Sequence, residues 1–309
     1  MLDRRLLLKS LLASYGLISL PFALPFSGAH AAPAGQIVKK IPKSLEVIPP
    51  VGMGTWMTFN VGADTELRSA RIKVLQAFFD AGGGMIDSSP MYGSSEDVVG
   101  FCLDELEYPK STFTATKVWT PFAKNGLDQM KHSMKLWRIK KFDLLQIHNL
   151  VAWEPHLETL QEMKRQGLVR YIGITTSHGR RHGDMEQIMI SKDIDFVQLT
   201  YNVFDREVEQ RLLPAAREHK LAVIANRPFQ RGALFNRFEK HPLPEWAGEI
   251  GAKSWAQFLL KFILSHSDVT CAIPATSQVV HMRENMEAGT GLLPTPELRK
   301  RMISYCASL

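Results

Sequence analysis

Met85-Ile86-Asp87-Ser88-Ser89-Pro90-Met91-Tyr92-Gly93 follows Gly82-Gly83-Gly84 and precedes Ser94-Ser95-Glu96-Asp97. It reads as a short buried strand ending in an acid, a proline turn that presents a tyrosine, and a helix start rich in acids. An acid a few residues before a tyrosine is common; the stretch gains weight from what recurs around it. Short β-rich runs fall at 51–55, 84–87, 113–117, 143–148, 170–175, 195–199, 221–225 and 270–273. Helix-periodic segments separate them. Val74, Leu75, Phe78 and Phe79 share one helical face that stops at Gly82, and Val98, Val99, Cys102, Leu103 and Leu106 share the next. Leu157, Leu160 and Met163 precede a stop at Gly167, and Trp255, Phe258, Leu259, Phe262 and Ile263 form the most apolar face. Eight strands alternating with helices predict an α/β fold, a (β/α)8 barrel of the TIM type. A doubly wound sheet should carry a glycine-rich loop after its first strand, whereas Gly52-x-Gly54 runs into Thr55-Trp56-Met57 without a third glycine.

Ahead of the first barrel strand, 36–41 and 44–48 are expected to pair as a hairpin around Pro42-Lys43, capping the barrel. After the seventh strand, 226–250 carries Pro228, Gly232, Pro242, Pro244 and Gly248 and is expected to be a long loop serving as a lid or cofactor clamp.

The 309 residues are 45% hydrophobic and 22% charged, ordinary globular material with a net charge of +6. Residues 1–31 hold Arg4, Arg5 and Lys9 against Asp3, which leaves 34 basic and 30 acidic residues in the rest, an excess too small and scattered to indicate nucleic acid. Cys102, Cys271 and Cys306 form no zinc or redox spacing and read as structural thiols; export would permit one disulfide.

Arg4-Arg5 with Leu6, Leu7 and Lys9, an apolar run interrupted by Gly16, Pro21 and Pro25, and small residues before Ala31 resemble a twin-arginine export signal. Asp3 stands where that motif usually has Ser or Thr. The resemblance implies a signal at 1–31, a single domain at 32–309, the export machinery as a partner, and a periplasmic or otherwise exported bacterial protein. The prolines and glycine argue against an uncleaved membrane anchor.

The ends of the second, third and fourth strands carry Asp87, Lys117 and His148, with Tyr92 just beyond the second. Reducing a carbonyl leaves an oxygen that must be protonated. A tyrosine can supply that proton, and a lysine cation beside it lowers its pKa from about 10. An aspartate keeps the lysine charged, and a histidine donates a hydrogen bond to the oxygen. Each residue alone has a structural explanation; four at consecutive strand ends point to chemistry.

Gly52-Met-Gly-Thr-Trp56, Ile86-Asp-x4-Tyr92-Gly, Thr116-Lys117-Val-Trp119, Asp143-Leu-Leu-Gln-Ile-His148 and Gly167-Leu-Val-Arg-Tyr-Ile-Gly173 resemble the aldo-keto reductase family, across nearly all of residues 36–300. The resemblance implies an NAD(P)H-dependent oxidoreductase that reduces aldehydes or ketones, with Tyr92 as general acid, Lys117 and Asp87 tuning it, and His148 orienting a small carbonyl substrate. It also implies NADPH, with NADH not excluded. Glu284 and Asn285 fall where the family holds the adenine, and Thr276, Ser277 and His281 where it holds the 2′-phosphate; Ala275 and His281 replace basic residues common there. Thr175 and Thr176 replace the usual Ser-Asn beside the carboxamide, and Gln198 matches the usual glutamine. Asn226 stands where an aromatic commonly stacks on the nicotinamide, with Arg227 and Phe229 as substitutes. Thr55 and Trp56 complete the cofactor set. Trp56, Met57, Trp119, Phe122 and Trp153 are expected over the substrate.

His178 and His182 flank Gly179-Arg180-Arg181, which reads as a solvated charged loop more readily than a metal or phosphate site. Two other functions stay open: a nucleotide-holding redox sensor or partner subunit with little turnover, and an unrelated chemistry such as metal-dependent hydrolysis, which lacks a convergent ligand set.

Overall fold

The computed structural model describes residues 35–309; the export signal expected at 1–31 lies outside them. The expected hairpin is present: β1 (Lys39–Lys40) pairs antiparallel with β2 (Val47–Ile48), Lys39 opposite Ile48. Eight parallel strands follow: β3 (Met53–Gly54), β4 (Met85–Asp87), β5 (Phe113–Val118), β6 (Phe142–Ile147), β7 (Val169–Thr175), β8 (Phe196–Thr200), β9 (Ala222–Asn226) and β10 (Cys271–Ala272). Each pairs with its neighbours in chain order. Parallel bridges from Val51 to Ala272 and from Gly54 to Ala275 join the last strand to the first and close the barrel.

The spacers form α1 (Thr65–Asp80), α2 (Ser95–Glu105), α3 (Ala123–Leu136), α4 (Trp153–Arg165), α5 (His182–Ser191), α6 (Leu212–Glu218), α7 (Ala233–Phe238), α8 (Trp255–Leu264), α9 (Val279–Glu287) and α10 (Pro296–Ser308). Local chemistry sets several starts: Asp64, Ser254 and Thr295 cap α1, α8 and α10 by accepting from backbone N–H groups of Leu67, Gln257 and Leu298. The segment after β9 is not a structureless loop; it contains α7 and a 3-10 turn, Glu245–Ile250.

Strand alternation divides the core in two. One parity faces the helices, with Ile86, Leu145, Ile147, Ile172, Ile174, Val197, Leu199 and Val223 in the outer cluster. The other fills the lumen with Met85, Phe113, Ala115, Leu144, Tyr171, Phe196, Ala222, Ile224 and Cys271, joined by Ile41 and Ile48 of the hairpin. The hairpin therefore plugs the end of the barrel opposite the strand C-termini, each isoleucine contributing roughly 1.5–3 kcal/mol on burial. Cys102, Cys271 and Cys306 are all free and buried, and burial pushes each thiol up to about 12.

Behind β5 lies a buried acid. Glu96 of α2 accepts from Thr116 Oγ1 (2.6 Å), Ser133 Oγ (3.0 Å) and Trp137 Nε1 (3.2 Å), tying α2 to β5 and α3. Burial raises its pKa, against those hydrogen bonds and Lys117, which pull it down. The folded protein thus holds the Glu96 proton more tightly than the unfolded chain, so the residue's contribution worsens as pH rises through the ordinary glutamate range. A glutamine keeps the three contacts, with its amide donating to Ser133. Thermal melts at pH 8 should place Glu96→Gln at or above the wild type, the gap closing toward pH 4. Glu96→Ala should lose about 3 kcal/mol or more by orphaning three donors.

Candidate active site

Asp87, Lys117, Gln146 and Gln198 have the lumen-facing parity of the apolar cluster, two residues nearer the C-terminal ends of their strands. Polar groups thus begin where the apolar plug stops. Lys117 is fully buried and Asp87 nearly so, with Lys117 Nζ donating to Asp87 Oδ1 at 2.6 Å and to the Ser88 carbonyl at 2.8 Å. Gln146 and Gln198 donate to Asp87 Oδ2 at 3.1 and 3.0 Å. Thr55, following β3, has its hydroxyl 3.0 Å from the Asp87 carbonyl and 2.9 Å from the Ser88 hydroxyl. Burial pulls the Lys117 ammonium down, but Asp87 with Tyr92 more than offsets this, and its pKa stands above the ordinary lysine value.

Tyr92 ends a 3-10 turn, Pro90–Tyr92, and Gly93 then turns the chain at φ 62°, where any Cβ would collide with the Asn60 amide. That turn lays the Tyr92 ring 5.2 Å from Lys117 Nζ and 5.9 Å, edge-on, from the His148 ring. The expectation of a lowered tyrosine pKa is corrected. Burial raises it, Lys117 lowers it, and Asp87 raises it, with a net upward shift. The reason is that desolvation, the largest influence, outweighs the Lys117 cation, which Asp87 opposes.

His148 is buried, and desolvation followed by Lys117 drives its pKa down to about 3. Its Nδ1 lies 2.8 Å from Ser89 Oγ, which already accepts the Met91 N–H. The Ser89 hydroxyl is thus free to donate to Nδ1, which leaves Nε2 to carry the proton of a neutral ring.

Asp87, Tyr92 and His148 line a cavity of about 680 Å3 together with Thr55, Trp56, Met57, Thr175, Thr176, Gln198, Asn226, Arg227 and Phe229. A second lobe of about 430 Å3 is lined by Thr276, His281, Glu284 and Asn285 and shares Phe229, Phe235 and Ala275 with the first. Ser277 lines neither. Asn226 is held by Thr200 Oγ1 at 2.8 Å and the Thr176 carbonyl at 3.0 Å, so its amide belongs to the wall, and Phe229 presents the aromatic ring of that segment.

Three of the expected substrate-pocket aromatics are elsewhere. Trp119 is 43% exposed, with its backbone clamped to Gln129; Phe122 is exposed; and Trp153 opens α4 with Lys192 above its ring. Conversely, His178 and Arg180, from the loop read as solvated, line the mouth, while His182 does not. Ser88, Ser89, Gln146 and Arg231 are additions to the expected site. Gln146 was visible as a polar residue in an apolar strand, two before His148; nothing in the sequence connects Arg231 to Trp56, over which its guanidinium lies at 4.2 Å.

A (β/α)8 barrel that gathers an acid-held lysine, a tyrosine and a neutral histidine at its strand C-termini, beside a two-lobed cavity, is built as barrel enzymes are. The aldo/keto reductase family profile matches residues 50–300, and the chain belongs to that family. It is 27% identical to the methylglyoxal reductase YeaE of Escherichia coli over 77% of this chain and 84% of that protein. It is 28% identical to the pyridoxine 4-dehydrogenase of Escherichia coli over 72% and 82%. Among solved structures, the aldo/keto reductase of Klebsiella pneumoniae in complex with NADP and acetate superposes with a TM-score of 0.73 at 22% identity, covering 86% of this chain and 94% of that one. The thermostable aldo-keto reductase Tm1743 gives 0.73 at 27% identity, covering 87% and 99%.

With His148 titrating near 3 and Tyr92 above its ordinary value, the rate of proton delivery should be flat from about pH 5 to 8 and fall only above about pH 10. A pH profile of carbonyl reduction checks this. In Lys117→Met the alkaline limb should move further up, because the one cation that lowers the Tyr92 pKa is gone.

Proposed function

We propose that the protein is an NADPH-dependent oxidoreductase that reduces aldehydes or ketones to alcohols. The observation that carries this reading is the convergence of Asp87, Lys117, Tyr92 and His148 beside one cavity. The two-lobed space fits a dinucleotide: Glu284, Asn285, Thr276 and His281 would hold its adenosine end. Phe229 lines both lobes, Arg227, whose buried Nε has no partner, lines the first, and Thr55, Trp56, Thr175, Thr176, Gln198 and Asn226 line the reacting end. Bound there, the cofactor supplies hydride.

The chain's own residues supply the rest. Tyr92 keeps its phenolic proton through neutral pH and gives it to the carbonyl oxygen as negative charge develops. Lys117 then stabilises the phenolate, and Asp87 keeps Lys117 oriented and charged. His148, neutral with Nε2 protonated, donates a hydrogen bond to the same oxygen without competing as an acid. Relatives named for methylglyoxal and pyridoxine support small carbonyl compounds as the substrate class.

NADPH oxidation with a panel of aldehydes should fall by about 10²–10⁴-fold in Tyr92→Phe. Equal rates for mutant and wild type, with nucleotide still bound, would favour the sensor reading instead. Titration of protein fluorescence should give tighter binding of NADPH than of NADH, with the preference reduced in His281→Ala.

The Arg4-Arg5 pattern supports export of the folded chain with its cofactor already seated. Replacing both arginines by lysine should retain the protein in the cytoplasm of a bacterial host, measured by fractionation; unchanged export would remove this part of the reading.

A further inference from the structure

Ser89 is fully buried and lines neither lobe of the cavity. It is nevertheless bonded both to the turn that carries Tyr92 and to the His148 ring. Its backbone is extended, at φ −166° and ψ 146°, and it caps the 3-10 turn Pro90–Tyr92. Pro90 has no N–H, so the first donors that the turn leaves open are those of Met91 and Tyr92. Ser89 takes both: its Oγ accepts from Met91 at 3.2 Å, and its carbonyl accepts from Tyr92 at 2.9 Å.

The Met91 bond settles what the hydroxyl does on its other side. A serine hydroxyl has one proton to give, and here its oxygen is already accepting. Among the described residues, the remaining hydrogen-bond partner of Ser89 Oγ is His148 Nδ1 at 2.8 Å. Were the ring proton on Nδ1, Oγ would accept two bonds and its own proton would be buried with nothing to receive it. The capped turn therefore selects the tautomer with Nε2 protonated. In the other tautomer, Nε2 would turn a lone pair toward the carbonyl oxygen and compete with it for the Tyr92 proton, the two rings lying edge-on at 5.9 Å.

We propose that Ser89 is a positioning residue that couples the Tyr92 turn to the His148 tautomer, so that one hydroxyl outside the cavity sets both groups that face the carbonyl oxygen. This rests on the carbonyl-reductase reading and adds to it a residue that touches neither substrate nor cofactor.

The test uses the full-length protein with isotope-labelled histidine and determines each ring's tautomer from nitrogen–proton NMR couplings, with and without NADPH. His148→Gln identifies the His148 signals among the ten histidines. Wild type should hold His148 with Nε2 protonated, Ser89→Ala should show both neutral tautomers in exchange, and Ser89→Thr, which keeps a hydroxyl, should return to the wild-type form. In reduction of an aldehyde panel, Ser89→Ala should lose about tenfold to a hundredfold in kcat, with KM and the NADPH Kd within about threefold of wild type, and Ser89→Thr should recover most of the loss. A serine with a structural role alone would lower the melting temperature and leave tautomer and kcat unchanged, an outcome that overturns the proposal. So does a wild-type His148 protonated at Nδ1. If Ser89→Ala fails to fold, the wild-type and Ser89→Thr spectra decide: Nε2 protonated in both sustains the proposal, and Nδ1 protonated in either overturns it. If no aldehyde is reduced, the reductase reading fails, and the spectra of wild type and Ser89→Ala decide this one by the same outcomes.

Discussion

The buried ion pair of Asp87 and Lys117 is the constraint around which the rest of this molecule is arranged. Placing two charges where water cannot reach them costs several kcal/mol per ion, and only near-complete hydrogen bonding offsets it. Here both Asp87 oxygens accept donors, and Lys117 donates to a carboxylate and a carbonyl. The partners come from β4, β5, β6 and β8, which are brought to one point only when the sheet curls and closes. A flat sheet would leave Asp87 with Lys117 and nothing from β8. The pair therefore depends on closure, and closure depends on the apolar lumen and hairpin plug beneath it.

The same pair sets the proton chemistry above it. Because desolvation outweighs the Lys117 cation at the phenol, with Asp87 opposing the lysine, Tyr92 keeps its proton at neutral pH. His148 lies close enough to the ammonium, and is sufficiently desolvated, to stay neutral. In the proposed reaction this makes tyrosine the proton donor and histidine a hydrogen-bond donor. Burial and one shared cation make the distinction.

Around this rigid centre the mouth is made differently. His178, Arg227, Gln230 and Arg231 all adopt positive φ, a conformation that non-glycine residues enter at a cost and that concentrates at functional sites. These turns bring His178, Arg227 and Arg231 to the lining of the cavity. The strands below carry Asp87 and Lys117, 3-10 turns just past two strand ends carry Tyr92 and His148, and the irregular segments complete the cavity wall.

Much of this was legible in the sequence. Eight short apolar runs between helical spacers, with no glycine-rich loop after the first, favour a parallel (β/α)8 barrel over a doubly wound sheet, because this periodicity is a local property of the chain. An acid, a lysine and a histidine at successive strand ends, with a tyrosine one turn on, follow from the same register. The hairpin around Pro42-Lys43 was equally local. What needed the tertiary structure was every relation between distant segments: Gln146 and Gln198 converging on one carboxylate, Ser89 orienting His148, Arg231 lying over Trp56, and Trp119 and Trp153 turning away from the cavity. The Tyr92 pKa belongs to the same group. Its sign depends on a balance between burial and two opposing charges separated along the chain by 30 residues. Spacing could place those charges near the phenol, but only the folded barrel determines how completely they cancel there.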